Sequence, residues 1–257
     1  MTGARSRRLG DASADVARAV EVFVRGVSFT RSFTHPYLAE RVGSLWALRD
    51  APRRRGDYRT EEWVAVGMPP EEVDGTAREQ TRGRFAVCAV HATGEPDAPL
   101  RAGYRALGYR LLRTEPCMLH RLRRIPRFDA PAVIERVTDA ASAERLAQAT
   151  GSRQIRPEHL HPDAPLRQYV ARVHDEIVGW VRSIVVGDAT WCASMYVRPP
   201  HRRQGIARAL LSRMLHDDRA GGAKTSVLLA SHTGAKLYPV VGYEQIGTLL
   251  LFTPKKA

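Results

Sequence analysis

The chain has 257 residues, 44% of them hydrophobic, which is enough for one large domain or two small ones with packed cores. This composition excludes wholesale disorder, and no stretch approaches the roughly 20 apolar residues that a membrane-spanning helix requires. The formal net charge is +13. Because the basic residues form none of the clusters with interleaved aromatic residues that are typical of nucleic-acid surfaces, we expect no nucleic-acid partner.

The three cysteines, Cys88, Cys117 and Cys192, show no metal-ligand spacing. Cys88 and Cys192 lie in apolar, strand-like runs, so we expect buried, reduced thiols and neither a disulfide framework nor a metal site. Residues 1–10 are basic and polar with no apolar segment behind them, a pattern without a secretory signal. Together these features predict a cytoplasmic protein without a membrane partner.

Apolar periodicity and turn residues predict the elements of the first half. Helices are expected over 11–26, from about Thr60, over 70–80 and over 100–107. Strands are expected over 44–49, 85–91, 109–114 and 117–122, the last two separated at Pro116. The aromatic run 29–37 has no clear period and is interpreted as an ordered loop or the end of a helix.

Two prolines bracket a polar stretch at 124–131, which we interpret as a linker. The predicted domains are therefore 1–124 and 132–257, joined by the linker 125–131. In the second half, a strand over 132–137 precedes a helix over 139–149, which is capped by Thr138 or Asp139, and a loop over 151–165. Three antiparallel strands follow, over 167–173, 177–186 and 189–198, and a further strand covers 224–230.

The most informative stretch runs from Met195 to Ala207, between an alternating strand and an amphipathic helix. The helix has one apolar face: Ile206, Ala207, Leu210, Leu211, Met214 and Leu215. In its first turn, Gly205 and Ala207 are small enough for a ligand to approach the free amides, which attract anions. Positive charge is added by Arg202, Arg203 and Arg208. The pattern predicts a pyrophosphate site, although so short a pattern also occurs in ordinary strand–loop–helix connections with solvated arginines.

Further along the chain, the strand-like run 224–230 is followed by Leu237-Tyr238-Pro239-Val240-Val241-Gly242-Tyr243. In this order and spacing the segments resemble the GCN5-related N-acetyltransferase (GNAT) superfamily, whose signature is Arg/Gln-x-x-Gly-x-Gly/Ala and then Leu-Tyr-x-x-x-Gly-aromatic. The resemblance covers roughly 133–252. It implies an α+β (mixed α/β) fold with a central, mostly antiparallel sheet flanked by helices, in which a three-stranded meander precedes a splayed strand pair.

The resemblance also implies acyl transfer from acetyl-CoA, as co-substrate, to an amine, without a metal. The backbone of Met195, Tyr196 and Val197 would pair with the pantetheine arm, and an amide near Met195 or Tyr196 would polarise the thioester carbonyl. Ser231, where the superfamily often has Asn, could still donate a hydrogen bond to the cofactor. The residues aligned with the pyrophosphate-binding turn are Arg202, Arg203, Gln204, Gly205, Ile206, Ala207 and Arg208.

Tyr238 stands where many members of the superfamily carry a tyrosine that protonates the departing thiolate. The alternative interpretation is that Tyr238 only covers the strand as an amphipathic residue. Many members also place a glutamate on the strand before the cofactor loop, but 189–197 contains no carboxylate. Ser194 and Cys192 could only order a water, and the turn residues His174 and Glu176 are usually solvated, so no general base is assigned.

The first half shows a weaker copy of the same segments. Residues 104–109, Tyr-Arg-Ala-Leu-Gly-Tyr, parallel 238–243, and the basic turn 52–56 parallels 200–205. We interpret this as an internal duplication whose first copy is incomplete, since one predicted strand precedes its basic turn. Tyr58 would occupy the place of Ala207 and block a pyrophosphate, so no cofactor is expected there. Chance similarity between short segments is the alternative.

The leading hypothesis is an acetyl-CoA-dependent N-acetyltransferase acting on a primary amine of a small molecule or peptide. The tandem arrangement resembles that of mycothiol synthases in architecture only. A non-catalytic acyl-CoA-binding sensor is the alternative, favoured by the missing base, and a nucleic-acid-associated protein is supported by net charge alone. A homodimer is left open. We expect the first half to pack on the second and to form one side of the acceptor cleft. The run 29–37 is the candidate segment for that side.

Overall fold

The computed structural model describes residues 9–255, with side chains from residue 13 onward, so that the predicted polar N-terminus at 1–10 lies almost entirely outside the described residues. The chain divides into two compact units. The first runs to Met118 and also includes Leu229–His232 and the residues from Gln245 onward, and the second comprises Leu119–Leu228 and Thr233–Glu244. The sequence-based boundaries assigned every residue after 132 to the second domain, whereas the last strand lies in the first unit.

The described residues of the first unit form three helices and six strands. The helices are α1 (Leu9–Arg31), α2 (Pro70–Gln80) and α3 (Ala98–Ala106). The strands are β1 (Tyr37–Val42), β2 (Leu45–Asp50), β3 (Glu61–Val66), β4 (Phe85–Ala92), β5 (Tyr109–His120) and β11 (Glu244–Pro254), in the spatial order β1-β2-β3-β4-β11-β5. Its core includes Trp63, Tyr104, Tyr109, Leu250 and Phe252.

The second unit carries the motifs singled out in the sequence. Its helices are α4 (Ala140–Thr150), α5 (Ile206–Ala220) and α6 (Tyr238–Val241). Its strands are β6 (Val133–Arg136), β7 (Leu166–Val173), β8 (Glu176–Val186), β9 (Ala189–Val197) and β10 (Thr225–Leu229), in the order β10-β9-β8-β7-β6. The N-cap of α4 is Asp139, whose Oδ1 accepts a hydrogen bond from the Ser142 amide at 2.8 Å, which settles the two alternatives.

The predicted fold class is confirmed. The pairs β1–β2, β2–β3, β4–β11, β6–β7, β7–β8 and β8–β9 are antiparallel, whereas β3–β4 and β9–β10 are parallel. The order α1-β1-β2-β3-α2-β4-α3-β5 is followed by the same order in α4-β7-β8-β9-α5-β10-α6-β11, and β6 has no counterpart among the described residues of the first series. Each series therefore contains one three-stranded meander and one parallel pair that flanks a helix.

The helix predicted to begin near Thr60 is wrong, because β3 occupies this segment. In the strand, Glu61 is 1% exposed and its carboxylate lies 2.8 Å from Nε of Arg82, an ion pair between residues 21 positions apart. A long-range partner of this kind leaves no periodic signal in the local sequence, so the β-branched and aromatic residues that follow decided the structure.

Three further predictions about the first half need correction. The strand β5 is continuous through Pro116, whose carbonyl accepts a hydrogen bond from the Ala230 amide at 2.9 Å. Helix α1 continues to Arg31, past the end predicted at residue 26, so the run 29–37 begins as the end of a helix, which is one of its two predicted forms. The basic turn 52–56 connects β2 to β3 and precedes no helix, and two strands precede it where one was predicted. The equation of Tyr58 with Ala207 therefore fails.

Helix α5 is held against the sheet of the second unit by its predicted apolar face and by one buried carboxylate. Leu210, Leu211, Met214 and Leu215 are fully buried. One turn further along the same face, Asp218 accepts hydrogen bonds from Ser183 on β8 at 2.8 Å and Thr190 on β9 at 2.8 Å, and pairs with Arg167 on β7 at 3.0 Å. These contacts fix the position of the helix whose first turn was predicted to bind a pyrophosphate.

No helix among the described residues is long and apolar enough to cross a membrane. The three cysteines are buried free thiols, as predicted. In the described part of the chain, no group of three or more His, Cys, Asp and Glu side chains is arranged to hold a metal ion.

Candidate functional site

The strands β9 and β10 pair over only three residues and then separate. Their parallel register begins at Thr225 opposite Ala189 and ends at Val227 opposite Trp191. Strand β9 continues to Val197 without a β10 partner on that side. This opening is the splayed pair that the resemblance implied, and it leaves a strand edge whose backbone groups can pair with an extended ligand.

A β-bulge interrupts the pairing of β9 with β8, in the part of β9 that has no β10 partner. Trp180 of β8 is opposite Tyr196, but Arg182 is opposite Ala193, so Val181 faces both Ser194 and Met195. Ser194 has φ +56°, a left-handed conformation that costs energy for a residue with a side chain. The bulge changes the direction of the backbone groups of Met195, which is one of the predicted cofactor contacts.

The loop after β9 ends in the first turn of α5 with the geometry of an anion site. Gly205 is the N-cap, with φ +84°, and Arg203 also has a left-handed conformation, with φ +66°. The first helical hydrogen bond runs from the Ala209 amide to the Gly205 carbonyl at 3.1 Å. The amides of residues 205–208 therefore donate to no described residue and point out of the helix start, where the positive end of its dipole lies.

Three arginines surround this helix start without carboxylate partners among the described residues. Arg202 donates from Nε to the Val197 carbonyl at 2.9 Å, and its guanidinium lies 5.6 Å from the centroid of the Tyr196 ring. Arg208 lies over the ring of Phe128 at 5.3 Å. Arg203 is exposed. Because their charge is not neutralised by the protein, these side chains favour a multiply charged anion at the loop.

The segment that we interpreted as a linker packs along α5. Ser212 donates a hydrogen bond to the Pro126 carbonyl at 2.6 Å. A Cβ atom added at Gly205 would lie 3.1 Å from the Asp129 carbonyl oxygen. Gly205 is therefore required by its left-handed φ and by the close approach of this backbone, independently of any ligand.

Tyr238 lies at the start of α6 in a cluster of buried polar side chains. It is 8% exposed, its hydroxyl donates to no described residue, and its ring packs edge-to-face on Tyr243 with centroids 5.7 Å apart. The Tyr243 hydroxyl is 2.8 Å from that of Ser226 on β10. Burial, with a smaller effect of Cys192, raises the pKa of Tyr238 above the ordinary value of 10.0. Tyr238 is thus held protonated at neutral pH, with a hydroxyl that the protein leaves unused.

The turn after α6 is fixed by His120. Its Nδ1 atom accepts a hydrogen bond from the Leu122 amide at 2.9 Å, and Nε2 lies 3.2 Å from the Val241 carbonyl, which assigns the proton to Nε2. Burial lowers the pKa of His120, consistent with the neutral ring. A Cβ atom at Gly242, where φ is +106°, would lie 2.8 Å from that Nε2 atom. The Gly-aromatic part of the Leu-Tyr-x-x-x-Gly-aromatic segment therefore has a structural role in placing Tyr238.

The second unit brings together most of the predicted site residues. The β9 edge carries Met195, Tyr196 and Val197, and the loop and first turn of α5 carry residues 202–208. Within that turn, Ile206 is buried and packs inward, whereas Ala207 is partly exposed. Ser231 lies outside this unit, exposed in the segment after β10, so its contact with a cofactor remains a prediction. His174 has a left-handed φ of +52° in the β7–β8 turn, and Glu176 pairs with Arg198.

Two polar groups of this unit were not found from the sequence. Asp218 continues the apolar stripe of α5 at the spacing Leu211, Leu215, Asp218, and a single carboxylate on such a stripe is a usable signal of a buried polar network. Arg182 stands in the mostly apolar run of β8. Its partners come from two other segments, and only the strand register shows that they meet.

Sequence and structure comparisons agree on the type of domain. Residues 165–245 match the family model described as acetyltransferase (GNAT) domain. Among curated proteins, no significant match to the sequence was found.

Several solved structures are similar to this chain over nearly its whole length. A GCN5-related N-acetyltransferase from Kribbella flavida aligns with a TM-score of 0.66 at 16% identity, covering 97% of this chain and 98% of that chain. A GCN5-related N-acetyltransferase-like protein from Streptococcus suis 89/1591 gives 0.55 at 12% identity, covering 96% and 100%. A GCN5-related N-acetyltransferase from Sphaerobacter thermophilus gives 0.52 at 19% identity, covering 81% and 76%. The chain has the GNAT fold, and within it residues 165–245 match the model of the GNAT acetyltransferase domain.

Proposed function

We propose that the protein is an N-acetyltransferase that moves the acetyl group of acetyl-CoA to a primary amine, with the site in the second unit. The observation that carries the proposal is the open edge of β9 between Cys192 and Val197, which leads directly into the uncapped amides of α5. An extended pantetheine arm fits the first feature, and a pyrophosphate fits the second. The unpaired arginines of the loop supply the matching charge.

In this proposal each part of the site has one task. The backbone of Met195, Tyr196 and Val197 orients the pantetheine arm, and an amide at the bulge near Met195 or Tyr196 donates to the thioester oxygen as negative charge develops on it. Residues 202–208 hold the pyrophosphate. The free hydroxyl of Tyr238 donates a proton to the sulfur as the carbon–sulfur bond breaks.

A sensor that binds acetyl-CoA without transferring it is the competing function, and the composition of β9 is its support. Residues 192–197 contain no carboxylate and no histidine that could accept the proton of the attacking amine. The unused hydroxyl of Tyr238 favours the enzyme, because a purely binding site has no need for a buried proton donor aimed at no protein atom.

We also propose that the first unit is a degenerate tandem copy that binds no acetyl-CoA. By element order, the place of the β9–α5 loop and the first turn of α5 is taken there by residues 67–72, which comprise the loop after β3 and the first turn of α2. Pro69 is the N-cap of α2 and Pro70 follows it, which removes amide donors, while Glu71 and Glu72 occupy the first turn. Two negative charges at a helix start repel a pyrophosphate, where the second unit has arginines.

Replacing Ala207 by Glu tests the cofactor site. Ala207 is in the first turn of α5, where a carboxylate stabilises the helix, so the variant should fold at least as well as the wild type. The same carboxylate would face the pyrophosphate, and like charges about 4 Å apart repel by about 4 kcal/mol at an effective dielectric constant of 20. We expect calorimetry to show acetyl-CoA affinity falling by about 100-fold or more. Ala207→Gln, of equal size but uncharged, is the control and should lose far less affinity, and equal losses in the two variants would contradict the site.

The same titrations test the degenerate copy. We expect one molecule of acetyl-CoA per wild-type chain and no measurable site in the Ala207→Glu variant, because Glu71 and Glu72 prevent binding to the first unit. A stoichiometry of two, or a site that survives in the variant, would show that the first unit binds the cofactor. Glu71→Gln with Glu72→Gln is a control that removes the repulsion without restoring the amides lost to the prolines.

A further inference from the structure

Arg182 on β8 is a partly buried cation with neutral partners only. Its Nε and Nη2 atoms both donate to Oγ of Ser194, at 3.0 and 2.6 Å, and Nη2 also donates to Oε1 of Gln154 at 3.2 Å. The orientation of Gln154 is fixed by its Nε2 atom, which donates to Oγ of Ser152 at 2.8 Å. No carboxylate of the described residues pairs with Arg182. Its Nη1 atom donates a hydrogen bond to no described residue.

This arrangement differs from that of two arginines on the adjacent strand β7, which have carboxylate partners. Arg167 pairs with Asp218 at 3.0 Å, and Arg172 pairs with Glu135 at 2.9 Å. Burial without a compensating carboxylate lowers the pKa of Arg182 below its ordinary value. A guanidinium in such surroundings binds an external carboxylate more strongly than a solvated one does, because less water must be displaced from it.

Arg182 faces the side of the sheet opposite α5. The neighbouring Ser183 hydrogen-bonds Asp218 of α5, and a Cβ atom at Gly179 would lie 3.2 Å from Leu210 of the same helix. Successive residues of a strand alternate between faces, so Trp180 and Arg182 both point to the other face. Gln154, in the loop after α4, reaches Arg182 there. This loop, the bulge and β8 therefore meet at Arg182, beside the open edge of β9.

Two further observations point to a ligand at this place. Gln168 on β7 lies directly opposite Arg182 and is 1% exposed. Its Nε2 atom donates to the Val181 carbonyl at 3.0 Å, which fixes the amide, and its Oε1 atom is buried without a hydrogen-bond partner. Ser194, which receives the guanidinium, has the strained φ of the bulge and precedes Met195. An unpaired buried oxygen and a strained backbone position thus occur on two residues next to Arg182.

We propose that the acetyl acceptor is an amine that also carries a carboxylate, and that Arg182 binds this carboxylate. The inference rests on the proposed acetyltransferase function and adds the substrate class. The carboxylate would take the Nη1 side of the guanidinium, while Ser194 and Gln154 hold the other side in place. The attacking amine would then lie next to the bulge, where the edge of β9 receives the thioester. A single guanidinium with neutral neighbours matches the single charge of a carboxylate better than the two charges of a phosphate.

The test uses pairs of amines that differ only in this charge: glycine, leucine, phenylalanine and lysine against their C-terminal carboxamides. Binding of each to the full-length protein saturated with CoA, which cannot turn over, is measured by calorimetry. We expect at least one free amino acid to bind about 10- to 100-fold more tightly than its carboxamide, as for a charge-assisted hydrogen bond. Arg182→Met should abolish this preference while leaving acetyl-CoA affinity unchanged. Arg172→Met, which removes a paired arginine, should keep it.

The results separate this proposal from the proposed function. If no free acid binds at least tenfold better than its carboxamide, or if Arg182→Met keeps the preference, the carboxylate site is wrong, whatever the protein acetylates. If the preference is present and depends on Arg182 but labelled acetyl-CoA gives no N-acetyl product, the carboxylate site stands and the sensor function replaces the enzyme. A purely structural Arg182 would lower melting temperature and weaken both members of a pair equally, which would also overturn the proposal.

Discussion

Replacing Tyr238 by Phe is expected to lower kcat by about 10²- to 10⁴-fold, the usual effect of a positioned proton donor, with acetyl-CoA affinity close to unchanged. The hydroxyl is the only atom removed, and it bonds to no described residue, so the fold has little to lose. Burial raises the pKa of Tyr238, but a thiolate leaving in the same low-dielectric surroundings has its pKa raised too, as burial does for Cys192. The proton transfer therefore stays feasible.

Tyr243→Phe is the matched control for this variant. The Tyr243 ring packs against that of Tyr238, but its hydroxyl is already 2.8 Å from that of Ser226. We expect Tyr243→Phe to cost about 1 kcal/mol of stability, the net worth of one hydrogen bond, and to leave kcat nearly unchanged. Single-turnover measurements should be used so that the acetyl transfer step itself is observed. An unaltered transfer rate in Tyr238→Phe would show that Tyr238 has a structural role and donates no proton.

Replacing Asp218 by Ala is expected to lower the free energy of unfolding by about 3–5 kcal/mol. The change leaves Arg167 without its carboxylate and the buried hydroxyls of Ser183 and Thr190 without an acceptor. Asp217→Ala is the control one residue away: it removes only a pair with Arg213 on the surface of α5, and we expect a loss of no more than about 0.5 kcal/mol. Urea unfolding monitored by tryptophan fluorescence gives both values. Similar losses in the two variants would contradict the network.

The pH dependence of this network has a defined sign. Burial raises the pKa of Asp218 to about 6, although hydrogen bonds from Ser183 and Thr190 and the charge of Arg167 oppose the rise. The folded pKa is above the unfolded value, so the folded state holds the proton more tightly. The contribution of Asp218 to stability is therefore greatest below about pH 4 and decreases as pH rises through 6. The stability difference between wild type and Asp218→Asn should shift in favour of the wild type on going from pH 7.5 to pH 4.5, and a shift in the opposite direction would refute this.

The sequence was sufficient for the elements that local periodicity determines. The apolar stripe of α5, the meander of β7, β8 and β9, and the start of α5 at Gly205 followed from spacing alone, because these residues contact neighbours a few positions away. The segment after Thr60 failed for the opposite reason. Glu61 is buried in a strand only because Arg82, far along the chain, neutralises it, and no local pattern carries that information.

The candidate site divides in the same way. The loop 202–208 could be found from sequence because its requirements, a left-handed glycine and free amides at a helix start, belong to consecutive residues. The polar group around Arg182 could not, because Gln154 and Ser194 bind it from two other segments and Gln168 lies opposite it on a third. The register of β7, β8 and β9 and the one-residue bulge bring them together, and a strand register is set by the whole sheet.

The most direct test of the account follows the acetyl group itself. The wild-type chain is incubated with acetyl-CoA labelled in the acetyl carbon and a mixture of primary amines that includes free amino acids. The label is then located by mass spectrometry, and the amount of free CoA thiol released is measured in the same reaction. We predict label on the nitrogen of at least one amine, in amounts equal to the CoA released, and its loss in the Tyr238→Phe and Ala207→Glu variants. Binding of acetyl-CoA at one site per chain, with the label retained on CoA or released only as acetate, would contradict an acetyltransferase.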